Sequence, residues 1–193
     1  MNQLYRRVQK VREKYMDTLA KLYDYGTAAY GKKQYTQWYD TTEGGYTFFS
    51  FKEKCDSLSK KLTQYGIGAG DKVAILSQSM PNWSVAFFSL VPFGRIAIPI
   101  LPDSSENEVT NILNHSESKV IFVSQRLASK VSKECRDRMA LVIDLDTFEV
   151  IQEDENKFTC DGKTAVPTPD DIAAIIYKIY KQTLCINLSR HTN

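Results

Sequence analysis

The stretch KVAILSQSMPNWSVAFFSLVPFGRIAIPILPDSSENEVTNILNHSESKVIFVS, Lys72–Ser124, decides the fold. It contains three short apolar runs: KVAILS (Lys72–Ser77), IAIPI (Ile96–Ile100) and KVIFVS (Lys119–Ser124). Short continuous apolar runs bounded by turn signals read as strands buried on both faces. Between the first two, Pro81 belongs in the first turn of a helix that closes at Gly94. Between the second and third, Ser105-Glu106-Asn107-Glu108 is a capping-box pattern opening a helix that buries Val109, Ile112 and Leu113. Strands and helices alternating at this spacing indicate βαβ units. The apolar tract Pro81–Pro102 is long enough to raise a membrane span, but Pro92, Gly94 and Arg95 interrupt its middle.

The pattern extends in both directions. Upstream, Thr47 is a good N-cap, and Phe51, Cys55, Leu58, Leu62 and Tyr65 form one apolar stripe ending at Gly66. Earlier still, Leu4, Val8, Val11, Tyr15, Leu19 and Leu22 recur at helical steps, opposite Arg6, Arg7, Lys10, Arg12, Lys14 and Lys21. Such a helix docks on its own domain with a solvated basic face, or lies on an acidic membrane surface. Ala28–Tyr30 and Gln34–Asp40 predict two short strands turning at Gly31-Lys32-Lys33, with a second turn at Gly44-Gly45. Downstream, Leu127 and Val131 mark a helix, ALVIDLD (Ala140–Asp146) a fourth strand, and IAAIIY (Ile172–Tyr177) a final one. The polar segment Thr147–Asp171 reads as a surface excursion. The expected fold is α/β: a doubly wound, mostly parallel sheet with helices on both faces, preceded by an amphipathic helix and short strands. It divides into 1–46 (helix and short strands), 47–177 (the α/β unit) and a tail, 178–193.

Composition narrows the function classes. A net charge of +2 over 193 residues does not suit a nucleic-acid binder, which concentrates a basic face. Four cysteines without a C-x-x-C pair point to free thiols in a reducing cytoplasm. Two histidines, His115 and His191, disfavour a His-based metal site. The scattered apolar positions at the start do not form a signal peptide.

GIGAGD (Gly66–Asp71) superficially suggests a dinucleotide fingerprint. Its glycines follow a helix and precede a strand, the reverse of what that motif needs, so they read as a helix cap and a turn. Open α/β sheets bind ligands beyond the carboxyl ends of their strands. Those ends carry Ser77–Ser79, Pro102–Ser105 and Ser124-Gln125, whose hydroxyls contact a ligand or, as the preferred reading, cap the following helices. Asp144 and Asp146 share one strand end but are weak evidence for a cation site. His115 is read as a surface residue near a helix end, favoured there by the helix dipole. No acid–base pair, activated nucleophile or metal cluster stands out, so no catalytic, cofactor-binding or metal-ligating residue is assigned.

The order of segments resembles the N-terminal part of the AMP-forming acyl-CoA synthetases (long-chain-fatty-acid–CoA ligase-like), in the adenylate-forming superfamily. The matching features are Thr47, Gly66, Gly70-Asp71, Val73-Ala74, Pro81-Asn82, Pro99 and Ile112–Ser116. PDDIAAIIY (Pro169–Tyr177) resembles the lead-in to that family's phosphate loop. The resemblance implies a parent ligase that joins a carboxylic acid to AMP from ATP, with Mg²⁺, and then transfers the acyl group to coenzyme A. Position 178 should then open a Gly/Ser/Thr-rich loop, but the sequence reads KIYKQTLCINLSRHTN, without one glycine. LSRHTN (Leu188–Asn193) is faintly similar to the segment that follows the loop in the family. The expectation is a truncated N-terminal portion that binds no cofactor and is inactive alone, with peripheral membrane contact through residues 1–24 and self-association as further expectations. The alternative is a standalone flavodoxin-like binding or interaction module, with the tail as its own terminal helix.

Overall fold

The computed structural model describes residues 17–37, 44–158, 161–180 and 183–190, with only the backbone described from Lys178 to Ser189. The predicted N-terminal stripe up to Tyr15 lies outside the described residues. Its continuation is helix α1 (Leu19–Tyr30), capped by the Thr18 hydroxyl, which accepts from the Lys21 amide. Helix α1 runs through Ala28–Tyr30, where a strand was expected, and buries Ala20, Tyr23 and Thr27 while Leu22 faces outward. The short strand pair is instead β1 (Gln34–Thr36) and β2 (Tyr46–Thr47). The segment Ala28–Tyr30 yields to a helix whose aromatic stripe packs on the next one. Tyr23 stacks on Phe88 and meets Phe51 edge-on.

Helix α2 (Phe48–Gln64) starts on a full capping box between Thr47 and Ser50 and ends where Gly66 takes φ +73°. Four parallel strands follow, β3 (Lys72–Leu76), β4 (Ile96–Ile100), β5 (Val120–Val123) and β6 (Leu141–Asp144). Helix α3 (Pro81–Phe88) follows β3 with Pro81 in its first turn. It stops at Phe88, earlier than the predicted Gly94, because a 3₁₀ turn at Val91–Phe93 accommodates Pro92 before Gly94 turns left-handed. Helix α4 (Glu106–Ser116) opens on the Ser105–Glu108 capping box. The single helix expected after β5 is a 3₁₀ segment, Gln125–Lys130, followed by the short helix α5 (Lys133–Arg138).

The excursion Thr147–Asp171 holds a strand that sequence reading overlooked, β7 (Val150–Glu153), antiparallel on β6. The alternation of exposed and half-buried residues in VIQE is too short a signal to stand out. Beyond it, residues 161–165 form a strap over the turns that precede β3 and β4. The Ala69 amide donates to the Lys163 carbonyl (2.7 Å), and the Ala165 amide to the Phe93 carbonyl (3.2 Å). Gly162, at φ +71°, fits so closely that a Cβ there would lie 2.4 Å from the Thr63 carbonyl oxygen.

The last parallel strand, β8 (Ile172–Tyr180), extends three residues past the predicted end. It returns antiparallel as β9 (Thr183–Arg190). The tail thus contributes a strand, and the terminal helix expected of the standalone module is not formed there. The sheet order is β7-β6-β5-β3-β4-β8-β9.

Alternate residues of each strand serve opposite layers. Val73, Ile75, Val120, Phe122, Leu141 and Ile143 pack under α1, α2 and α3, with Tyr23, Phe51, Leu58 and Val85. Ala74, Leu76, Ile121, Val123 and Val142 pack under α4 and α5, with Val109, Ile112, Leu113 and Cys135. The fold is therefore doubly wound, as expected: a mostly parallel sheet with a helical layer on each face.

Candidate functional site

Because α3 leaves β3 for one layer and α4 leaves β4 for the other, the two connections part between these strands. A crevice opens there at the carboxyl ends, where open α/β sheets receive ligands. It is an open groove of about 910 Å³. Its walls are Ser77, Ser79 and Met80 after β3, Pro99, Leu101 and Pro102 at the end of β4, Trp83 on α3, and Thr36 and Gln37 from β1. A second depression of about 470 Å³, among Asp71, Lys72, Glu117 and Lys119, lies at the opposite, amino end of the strands.

The predicted serines divide in the structure. Ser105 caps α4. Ser77 caps nothing; its hydroxyl donates to the Gln78 carbonyl (2.8 Å) and lies 3.0 Å from the Met80 sulfur. Ser124 precedes the 3₁₀ segment without capping it and donates instead to Gln78 Oε1 (2.9 Å). The Ser104 and Pro102 carbonyls both accept from the Lys130 ammonium, at 2.8 and 2.6 Å. Ser79 keeps its exposed hydroxyl on the groove wall.

Asp144 and Asp146 are both engaged by Gln125, whose side-chain amide donates to Asp144 (2.6 Å) and whose backbone amide donates to Asp146 (2.7 Å). The Asp146 amide donates to Asp144 Oδ1 (2.7 Å). Their oxygens brace the end of β6. Among the described residues no group of three His, Cys, Asp or Glu side chains is placed to hold a metal ion.

Two contacts lay beyond sequence reasoning. Asn82 is buried and donates to the carbonyls of Leu145 (2.8 Å) and Asp146 (2.9 Å), while its own oxygen accepts from the Tyr46 hydroxyl (2.7 Å). It fixes the start of α3 to the end of β6, and Pro81-Asn82 was its only sequence signal. His115 is on the surface at the end of α4, as predicted, but its Nδ1 lies 3.1 Å from the hydroxyl of the buried Tyr177, with the rings edge-to-face.

After Tyr177, at position 178, a phosphate loop was expected to begin. The backbone instead continues as β8, with Lys178 paired to Cys185 and Tyr180 to Thr183. A tight, backbone-exposing phosphate turn needs residues tolerant of positive φ, and the ladder at 178–180 leaves no such turn. The described backbone at 178–180 therefore does not form that turn.

A family model described as AMP-binding enzyme matches residues 27–177. The chain belongs to the AMP-binding enzyme family. Curated relatives of this family member include long chain acyl-CoA synthetase 2 of Arabidopsis thaliana, 24% identical over 127 residues, or 63% of this chain and 19% of that protein. Fatty acyl-CoA synthetase A of Dictyostelium discoideum is 21% identical over 158 residues, or 72% of this chain and 24% of that protein. The chain thus spans under a quarter of the length of these two relatives. Among solved structures, the anthranilate CoA ligase AuaEII in complex with anthranoyl-AMP shares the fold, with a TM-score of 0.74 at 17% identity. That match covers 90% of this chain and 34% of the ligase. Among the described residues, no helix is long and apolar enough to cross a membrane.

Proposed function

We propose that residues 47–177 form the first α/β subdomain of an acyl-activating ligase, and that this chain by itself does not catalyse adenylation. In such a parent, ATP and Mg²⁺ would activate a fatty or other carboxylic acid, and coenzyme A would take up the acyl group. Support for the class comes from the family match over residues 27–177 together with relatives named as acyl-CoA synthetases. The observation that carries the inactivity is β8 running on through Tyr180, where the parent would need its phosphate loop. The standalone module has less support, since the tail pairs as a strand and the family match covers most of the chain.

The test is carboxylate-dependent exchange of pyrophosphate into ATP, measured over a panel of short- to long-chain acids beside an intact ligase of the family. The expected result is no exchange above the protein-free blank. Exchange with any acid overturns the inactivity.

The cytoplasm is the proposed compartment, which the buried free thiols of Cys55 and Cys135 support. A peripheral membrane role for residues 1–24 rests on their basic residues. It requires co-sedimentation with anionic vesicles that is lost when residues 1–24 are removed.

A further inference from the structure

The two edges of the sheet differ. Strand β7 has four residues, a register irregularity against β6 and a charged end at Glu153, features that discourage further strand pairing. Strand β9 has eight residues, and its register with β8 is regular from Ala174 to Tyr180. From Thr183 to Ser189 it contains no charge, proline or glycine. Among the described residues no strand pairs its outer edge, and Ala97 with Ala174 is the one registered pair joining β8 to β4. Strand β9 is thus paired on one side only, and a long uncharged edge of this kind is a template for a further strand.

The sequence of β9 indicates which strand that is. Thr183-Leu-Cys-Ile-Asn-Leu-Ser189 is a near-palindrome about Ile186. An antiparallel copy centred there sets Thr183 against Ser189, Leu184 against Leu188, Cys185 against Asn187, and Ile186 against itself. Leucine meets leucine and hydroxyl meets hydroxyl, with Cys185 opposite Asn187, and such cross-strand pairs stabilise a sheet. The register with β8 pairs Leu184 with Ile179, Ile186 with Tyr177 and Leu188 with Ile175. Tyr177 is buried in the core layer of α4, and Ile175 packs against that layer.

We propose that two copies of this chain associate through β9, antiparallel about a two-fold axis at Ile186, joining their sheets into one. The interface is isologous, so it closes at a dimer. Each copy's apolar row continues across the axis into the other's. Arg190, which follows the paired segment, is already matched with Asp170 at 3.4 Å.

Sedimentation equilibrium of the full chain should give twice the chain mass. Ile186→Lys, which sets two ammonium groups against each other on the axis, should halve it. Ile151→Lys on the exposed face of β7 should leave the dimer intact. Mild oxidation with oxidised glutathione should cross-link Ile186→Cys into a covalent dimer, since each new thiol faces its own copy. Leu184→Cys, facing Leu188, should not cross-link. A monomeric wild-type chain, or a dimer that survives Ile186→Lys, overturns the proposal, as does open-ended aggregation. If circular dichroism shows that Ile186→Lys has unfolded, the cross-linking pair decides: equal yields from Ile186→Cys and Leu184→Cys overturn the assignment.

Discussion

At the scale of single residues, Arg95 shows how a charge is held in a core. Its side chain is fully buried, and neutral oxygens supply all its hydrogen bonds: Ile67 O at 2.8 Å, Ser59 Oγ at 2.8 Å, Thr63 Oγ1 at 2.8 Å, and the Ser59 and Ser89 carbonyls. Burial lowers its pKa to about 10, with Asp71 pulling the other way. The guanidinium joins the end of α2, the turn into β3 and the end of α3. Hydrogen bonds to a charged group contribute about 1.5–3 kcal/mol each, and orphaned acceptors cost more. Arg95→Ala should therefore lower stability by about 3 kcal/mol or more, read from the urea midpoint. From the sequence, Arg95 looked only like an interruption of an apolar tract, because its acceptors, the Ser89 carbonyl apart, lie 28 and more residues away in the chain.

Protons act at the same scale. Burial raises the pKa values of Tyr23, Tyr35, Tyr46 and Cys55 above their ordinary 10.0 and 9.0. The unfolded chain releases these protons first, so the native state holds more of them and stability falls as pH rises. The contribution is complete below about pH 9 and is lost progressively above it. Arg95, with its lowered value, acts in the opposite sense above about pH 10, but it is one group against several. Urea midpoints measured across this range should fall, and Tyr23→Phe should flatten the fall. A midpoint that rises with pH would show that Arg95 outweighs the phenols and the thiol.

At the scale of elements, caps and turns were the most legible features, because each depends on neighbours within a few residues. Thr47 caps α2 as predicted, and Ser105 closes the box that its spacing to Glu108 predicted. Loss of either cap through Thr47→Ala or Ser105→Ala should cost about 1 kcal/mol, again read from the urea midpoint. The elements that escaped prediction depend on distant partners. Helix α1 overrides the strand expected at Ala28–Tyr30 because Tyr23 finds Phe51 and Phe88, and β7 exists because β6 offers it an edge. The same holds in the groove: Ser77 and Ser124 were readable as polar residues at strand ends, yet their bonds run to Gln78 and Met80. No local signal assigns a hydroxyl to a side chain 46 residues away.

At the scale of the whole molecule, the layered sheet was legible since each strand had to feed two cores in alternation. The groove at the parting of α3 and α4 was legible only as a rule about strand ends; Trp83 and Leu101 reach its wall through the topology. Stability should be graded along the sheet. Amides of β3 and β5, paired on both sides, should exchange with deuterium most slowly, and those of Ile175–Tyr180 much faster. Uniform protection by exchange mass spectrometry would show that the β8–β9 hairpin is as firmly held as the centre.

The strap at 161–165 governs where a protease can enter. Lys163 is exposed in a long connection, which usually marks a cleavage point. Its carbonyl, however, is held by the Ala69 amide and its own amide by Asp161, while Gly162 sits against Thr63. A protease must draw several residues of backbone into its cleft, and here that means peeling the strap from the turns it covers. Limited trypsin digestion should therefore spare the Lys163 bond in the native chain. Gly162→Ala, which forces the strap outward, should turn that bond into an early cut.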